Sequence, residues 1–387
     1  MRVLHVVPSY LPAVRYGGPI YSVHALCRSL AARGHDIHVY TTNVDGPGSS
    51  NVPLNEPVAI EGVKVRYFSC GWGRRLYRSP EMGRAIQAEV MKFDVLHLHS
   101  VFLWPTLAAA RAARAAGVPY ILAPRGMLVG DLIERKSRLL KTLWIKLLER
   151  ANLSGAAAIH VTSKLEKAEF AKLGIPVRRV VVVANGIDLP NLIQPHPGPA
   201  ATTQKPYVLS LGRINWKKGL DRLVSAMAYV PDAELVIAGN DEENYQPRLE
   251  AMVRDLHLST RVRFLGPVHD AEKWQLIRSA TLFILPSYSE NFGIAALEAM
   301  ACGCPVVVTS EVGLANAIGD AGAGIVVDGE PKQLGTAIST LMSDPVRLRR
   351  MGEAGKKLAA RDFSWVRIAE QTEQLYQRCL DERPKRA

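Results

Sequence analysis

From end to end, the sequence alternates short β-branched runs with amphipathic stretches, and this alternation restricts the chain more than any other feature. A strand followed by a helical segment cannot close a hairpin. The chain must return over the sheet, which gives parallel strands with helices on both faces. In the first half the strand candidates are Val3–Val7, Ile37–Thr41, Val63–Phe68, Val95–His99, Tyr120–Ala123, Ala157–Val161 and Val180–Val183. Between the first two, Ile20–Arg33 has helical apolar spacing and stops at Gly34. Leu189–Pro206, rich in Pro, Thr and Gln, reads as a linker. The pattern then restarts with Tyr207–Leu211, Glu234–Ala238, Val262–Leu265, Leu282–Leu285, Pro305–Thr309 and Gly324–Val327, and a long helix over Trp365–Asp381 follows.

The expected fold is therefore α/β, with two Rossmann-like doubly wound domains facing a central cleft. A chain of 387 residues exceeds what one core usually serves. The expected boundaries are 1–188 for the first domain and 207–364 for the second, joined by the linker 189–206. A terminal helix at about 365–387 is expected to pack back on the first domain. With 48% hydrophobic and 22% charged residues, the composition is that of a globular protein, not a disordered one. No apolar run approaches the roughly 20 residues of a membrane span, and the opening MRVLHVV reads as a strand, so a cytoplasmic protein is expected. The five cysteines are scattered; Cys302 and Cys304 are too close for the usual zinc spacing, and small buried thiols are the simpler reading. The net charge of +12 suits a phosphorylated substrate or an anionic membrane. Nucleic acid is not expected, because no zinc finger, RNA-binding aromatic signature or recognition-helix pattern is present.

A dinucleotide dehydrogenase would place G-x-G-x-x-G directly after a strand, whereas the first strand here opens into PSYLPAVRYGGP. Three other segments suit a ligand with a diphosphate and a sugar. Gly17-Gly18-Pro19 precedes a helix, where backbone N–H groups and the helix dipole attract a phosphate; a plain loop-to-helix turn reads equally well. Arg213 and Lys218, in Leu211-Gly-Arg-Ile-Asn-Trp-Lys-Lys-Gly219, follow the first strand of the second half. They could clamp a leaving diphosphate, or form a solvated basic loop. Glu290 and Glu298 stand eight positions apart. Both would share a face if helical, but Glu290 reads better in the loop after Leu282–Leu285, with Glu298 in the next helix. There Glu298 has largely apolar neighbours and needs donors, which sugar or ribose hydroxyls would supply.

These segments, with Asn185-Gly-Ile-Asp188, resemble the retaining GT-B glycosyltransferases of family 4, and the similarity spans nearly the whole chain. The resemblance implies that Gly18, beside Gly17, offers its N–H to the diphosphate, which Arg213 and Lys218 neutralise. It implies that 1–188 binds the acceptor and 207–364 the nucleotide sugar, that Glu290 binds hydroxyls of the transferred sugar, that Asn291, Phe292, Gly293 and Ile294 lend backbone contacts, and that Glu298 binds the ribose. Many members carry a His after the fifth strand, where this chain has Arg125, as in a subgroup resembling exopolysaccharide and O-antigen transferases. An Arg cannot act as a general base, so orientation or charge stabilisation is the role carried over. His99, at a strand end, is a further candidate, with a structural role as the alternative.

Breaking the sugar–diphosphate bond builds negative charge on the leaving group, and fixed cations aimed there are the main expected contribution. The sequence has no Asp-x-Asp, so Arg213 and Lys218 are expected to replace a metal, and no cofactor is expected beyond the nucleotide-diphosphate sugar donor. The family is thought to retain configuration by same-face attack. The partners expected are that donor and a glycan or lipid-linked acceptor. Asp131–Arg150, basic with interleaved Leu, Ile and Trp144, could rest on an anionic membrane or pack on the sheet as an ordinary helix. A nucleotide-sugar epimerase and a non-catalytic nucleotide-sugar sensor are the competing readings.

Overall fold

The computed structural model describes residues 1–13, 17–128, 144, 148–188, 206–241 and 243–382. The expected linker up to 205 and nearly all of 131–150 lie outside the described residues. The chain divides into two compact units, Met1–Gly186 with Trp365–Ala387, and Ile187–Ser364.

In the first unit the strands are β1 (Arg2–Val6), β2 (Asp36–Thr42), β3 (Val44–Asp45), β4 (Gly48–Ser49), β5 (Pro57–Ile60), β6 (Val63–Phe68), β7 (Val95–His99), β8 (Tyr120–Ala123), β9 (Ala158–Val161) and β10 (Val180–Val182). Eight of them form one sheet in the order β10-β9-β8-β7-β1-β2-β6-β5. All neighbours run parallel except the edge strand β5, which pairs antiparallel with β6. Three short strands escaped the sequence reading. The β3–β4 hairpin has only two residues a side, and β5 begins on Pro57, which a central strand would exclude. The central strands are buried on both faces, so they read as nearly continuous apolar runs instead of alternating ones.

The helix expected from Ile20 begins at Gly18 and runs to Ala32, with Pro19 in its first turn. Its apolar side meets the helix Trp365–Asp381, whose Ile368, Ala369, Leu375, Tyr376 and Cys379 share one core with Val23, Leu26 and Leu30. Arg33 adds ion pairs to Glu370 and Glu373. The other face of the sheet has its own core, around Met82, Ile86, Ala109, Ala113 and Phe170.

The second unit has six parallel strands: β11 (Tyr207–Leu211), β12 (Glu234–Ala238), β13 (Val262–Gly266), β14 (Leu282–Leu285), β15 (Val306–Thr309) and β16 (Gly324–Val327), in the order β13-β12-β11-β14-β15-β16. The chain winds outward from β11 through β12 to β13, then returns to the other side of β11 with β14. The winding thus reverses between β11 and β14, as it does between β1 and β7 in the first unit. Loops leaving neighbouring strands in opposite directions open a crevice at that point, which is where such sheets hold ligands. The five cysteines are all unpaired, with Cys27, Cys304 and Cys379 buried.

Candidate functional site

In the second unit, β11 and β14 are neighbours, so the loops at their carboxyl ends meet. One loop carries Arg213 and Lys218; the other carries Glu290. Gly219 makes the meeting possible, and Gly239, just after β12, lets a third loop approach that of β11. Gly219 has φ +62°, and a Cβ there would lie 2.0 Å from the Pro286 carbonyl oxygen. A Cβ on Gly239 would lie 1.7 Å from the carbonyl oxygen of Gly212. The Tyr288 N–H then donates to the Lys217 carbonyl at 2.7 Å, tying the loops together.

At this junction Lys218 Nζ donates directly to Glu290 Oε2, and the two side chains are only 18% and 19% exposed. Burial alone would raise the Glu290 pKa. The charge and hydrogen bond of Lys218, the Phe292 N–H and the Arg213 charge outweigh it, so the carboxyl titrates below its usual range. Glu290 lies in a loop, bridged to Val312, and the following helix begins only at Ile294, after Gly293. The alternative with both carboxylates on one helix is therefore excluded. Asn291 and Phe292 lie in the same loop, Phe292 buried.

Glu298 sits inside that helix as read, but its donor is protein. Lys273 Nζ donates to Glu298 Oε1 at 2.9 Å, with the pair 24% and 16% exposed. Lys273 comes from the helix Asp270–Ser279, and its ammonium also lies 4.2 Å from the centre of the Trp274 ring. The sequence reading missed Lys273, because nothing in the local pattern around Glu298 points to a residue 25 positions earlier.

In the first unit Gly17 caps the helix Gly18–Ala32 with φ 64°. Gly18 is exposed, and a Cβ at either glycine would meet nothing within 4 Å among the described residues. Arg125 stands in the turn after β8 with φ 54°, a left-handed conformation that costs a non-glycine residue about 1–3 kcal/mol. Its Nη1 donates to Asn185 Oδ1 at 2.9 Å, and its Nη2 lies 3.2 Å from His99 Nδ1. Burial lowers the Arg125 pKa, against the charge of Glu166. The Glu166 carboxylate accepts from the Gly126 and Thr162 N–H groups at 2.7 and 2.6 Å. His99 is 1% exposed, at the buried end of β7. Asn185 belongs to the Asn-Gly-Ile-Asp segment singled out in the sequence; its contact with Arg125 did not follow from the spacing.

Two doubly wound parallel sheets, the second with Lys218 and Glu290 paired at its reversal point, match the GT-B class of glycosyltransferase. Known proteins agree. The family model for glycosyl transferases group 1 matches residues 196–358, and that for the glycosyl transferase 4-like domain matches 17–186. The D-inositol 3-phosphate glycosyltransferase of Frankia alni is 29% identical, covering 97% of this chain and 98% of its own. The alpha-maltose-1-phosphate synthase of Mycolicibacterium smegmatis is also 29% identical, covering 98% and 99%. Among solved structures, the sucrose-phosphate synthase of Thermosynechococcus elongatus superposes with a TM-score of 0.78 at 24% identity, over 98% and 99% of the two chains. HepE of Anabaena, solved with UDP-glucose, gives 0.74 at 20% identity over 97% and 100%. The chain belongs to the family-4 glycosyltransferases of GT-B fold. No helix among the described residues is long and apolar enough to cross a membrane.

Proposed function

We propose that the protein moves a hexosyl unit from a nucleotide-sugar donor to a glycan or lipid-linked acceptor. The transfer retains configuration and needs no metal, and it serves bacterial cell-surface polysaccharide or glycolipid synthesis in the cytoplasm. The observation that carries this reading is the junction of the β11 and β14 loops, where Arg213, Lys218 and Glu290 converge. Two cations beside one carboxylate leave a net positive charge for a diphosphate, while Glu290 offers acceptors to sugar hydroxyls. Arg213 can donate two parallel bonds to phosphate oxygens and Lys218 acts as a point charge, so together they would do the work that a metal does in other transferases.

Gly18 adds support, since neither its conformation nor its packing demands a glycine; close approach of a phosphate to its N–H would. Glu298, held by Lys273, has a second oxygen to offer a ribose hydroxyl. The complex of Anabaena HepE with UDP-glucose supports the donor class. A lipid-linked acceptor would bring 131–150 beside an anionic membrane.

The test is incubation with a panel of labelled nucleotide sugars, with and without a chelator, followed by the anomeric configuration of the product. Acceptor-dependent release of nucleoside diphosphate, unaffected by chelation and with retained configuration, is expected. An isomerised donor would make the protein an epimerase, and binding without turnover would make it a sensor. Inactivation by chelator with rescue by magnesium or manganese would overturn metal independence.

A further inference from the structure

β1, β7 and β9 carry His5, His97, His99 and His160 on one face of the first sheet, and each is at most 2% exposed. Their ring nitrogens are hydrogen-bonded in sequence, and the two ends of that sequence settle its direction. A carbonyl oxygen only accepts, and a guanidinium only donates. His160 Nε2 lies 2.8 Å from the Val183 carbonyl and must carry its proton there. Neutral His160 then accepts at Nδ1 from His97 Nε2, at 3.1 Å. His97 Nδ1 accepts from the Tyr376 hydroxyl at 2.8 Å. The Tyr376 oxygen takes the proton of His5 Nε2 at 3.4 Å. His5 Nδ1 accepts from His99 Nε2 at 3.0 Å. That leaves His99 Nδ1 as a bare acceptor, 3.2 Å from Arg125 Nη2.

The opposite direction fails at both ends. It would turn an N–H of His99 against the Arg125 N–H groups, and a lone pair of His160 against the Val183 carbonyl. Protonating His5, His99 or His160 would set two donors face to face, and protonating His97 would turn the Tyr376 hydroxyl away from its acceptor. Burial, reinforced by the charge of Arg125, holds His5 and His160 down to about 3 and His99 well below the ordinary range. Burial followed by the neighbouring histidines does the same for His97. All four rings are thus neutral, and all four carry their proton on Nε2.

We infer that His99, His5, Tyr376, His97 and His160 form a brace of fixed tautomers that orients Arg125, with His99 as the positioning residue, and that the ligand group Arg125 meets is an anion such as a phosphate. The inference rests on reading Arg125 as a site residue. Both acceptors that hold the guanidinium, His99 and Asn185, are neutral, so they set its direction without forming an ion pair; the nearby Glu166 charge acts on it while its carboxylate is held by the Gly126 and Thr162 N–H groups. The brace is not a proton relay, because Arg125 does not release a proton and a carbonyl cannot take one. For the same reason His99 has no free nitrogen with which to act as a base. The nitrogens of His5, His97 and His99 lie within 4.8 Å of one another, a spacing that a metal site also shows. A dication there would sit beside Arg125 and disrupt links on both sides of His5, so charge and bonding favour the brace.

Two measurements on the full chain test this. Nitrogen-15 NMR of labelled histidine, with single His variants for assignment, should show Nε2–H and bare Nδ1 in all four rings at pH 7. An Nδ1–H tautomer or a cation in any of them overturns the brace, whether or not the protein has transferase activity. In the activity assay, His99→Ala should lower kcat about tenfold to a hundredfold, the scale for an outer group that orients a functional side chain, with little change in KM for the donor. His99→Asn, which can still offer an oxygen where Nδ1 stands, should recover at least tenfold over His99→Ala. Tyr376→Phe keeps the ring packed, cuts the chain in its middle, and should also lower kcat. Wild-type kcat in both His99→Ala and Tyr376→Phe overturns the positioning role even if the tautomers are as stated. A protein inactive with every donor tells against the proposed function, and the spectrum alone then decides the brace.

Discussion

At the residue scale, the Lys218–Glu290 pair couples one cation of the proposed clamp to the carboxylate beside it. With Lys218 present, the Glu290 carboxyl ionises more readily than an ordinary glutamate despite its burial. Lys218→Met leaves the burial and removes its main counterweight, so the Glu290 pKa rises. The acid limb of the kcat/KM profile should then move to higher pH, on top of a loss of about 10²–10³ in rate for removing one preorganised stabilising donor. An acid limb that stays in place would mean that Glu290 does not bear on turnover. The buried histidines make a separate prediction about stability. His5 and His160 have folded pKa values of about 3, against about 6.5 in an unfolded chain. A depressed histidine pKa means that the unfolded state takes up protons first as the pH falls. Their contribution is therefore complete above pH ~6.5 and is lost progressively towards pH ~3. Each should cost about 2 kcal/mol between pH 7 and pH 5. A thermal midpoint that stays flat across that interval would contradict their neutral burial.

At the element scale, the second unit depends on how closely the β11 and β14 loops approach. Gly219 serves both geometry and conformation: φ is +62°, and Pro286 O occupies the space of any side chain. Gly219→Ala should part the loops, destabilise the protein by about 1–3 kcal/mol, and reduce activity through the misplaced Lys218–Glu290 pair. Denaturant unfolding and turnover measured on the same preparation check both effects. Gly17→Ala is the instructive contrast, because among the described residues nothing lies within 4 Å of the added Cβ, and the strain of φ 64° is the cost that remains. In the first unit, the histidine row depends on strand order. His5 is in register with His97 across β1 and β7, and His99 with Ala123 across β7 and β8. At Ala123 the intervening strand presents only a methyl group, which leaves room for His97 and His160 to meet across β8.

At the scale of the whole molecule, the chain leaves its first unit at Gly186 and rejoins it at Trp365. The returning helix buries Trp365, Ile368, Leu375 and Tyr376 in the core it shares with the helix Gly18–Ala32. Burying each is worth about 1.5–3 kcal/mol, so the four together match the roughly 5–15 kcal/mol by which a whole domain is stable. Truncation after Ser364 should therefore unfold the first unit or leave it binding hydrophobic dyes, while the second unit, which loses none of its core, keeps its cooperative transition. Calorimetry of the truncated chain showing both transitions intact would overturn that dependence.

What the sequence by itself determined was local in origin. Apolar runs of four or five residues marked the central strands of both sheets. The positions of Gly-Arg-x4-Lys-Gly and Glu290 directly after two of those strands placed them at carboxyl ends. Periodicity and turn chemistry depend only on neighbours in the chain, so they could be read without knowing strand order. Only the tertiary structure decided which ends became neighbours, because the reversal between β11 and β14 depends on the packing of helices on the two faces of the sheet. The same holds for the partners of the charged groups. Lys218 reaches Glu290 across 72 positions, and Tyr376 reaches His5 across 371. A buried polar atom takes whatever donor or acceptor the fold brings within about 3 Å, and that distance is a property of the packed chain, not of its local pattern.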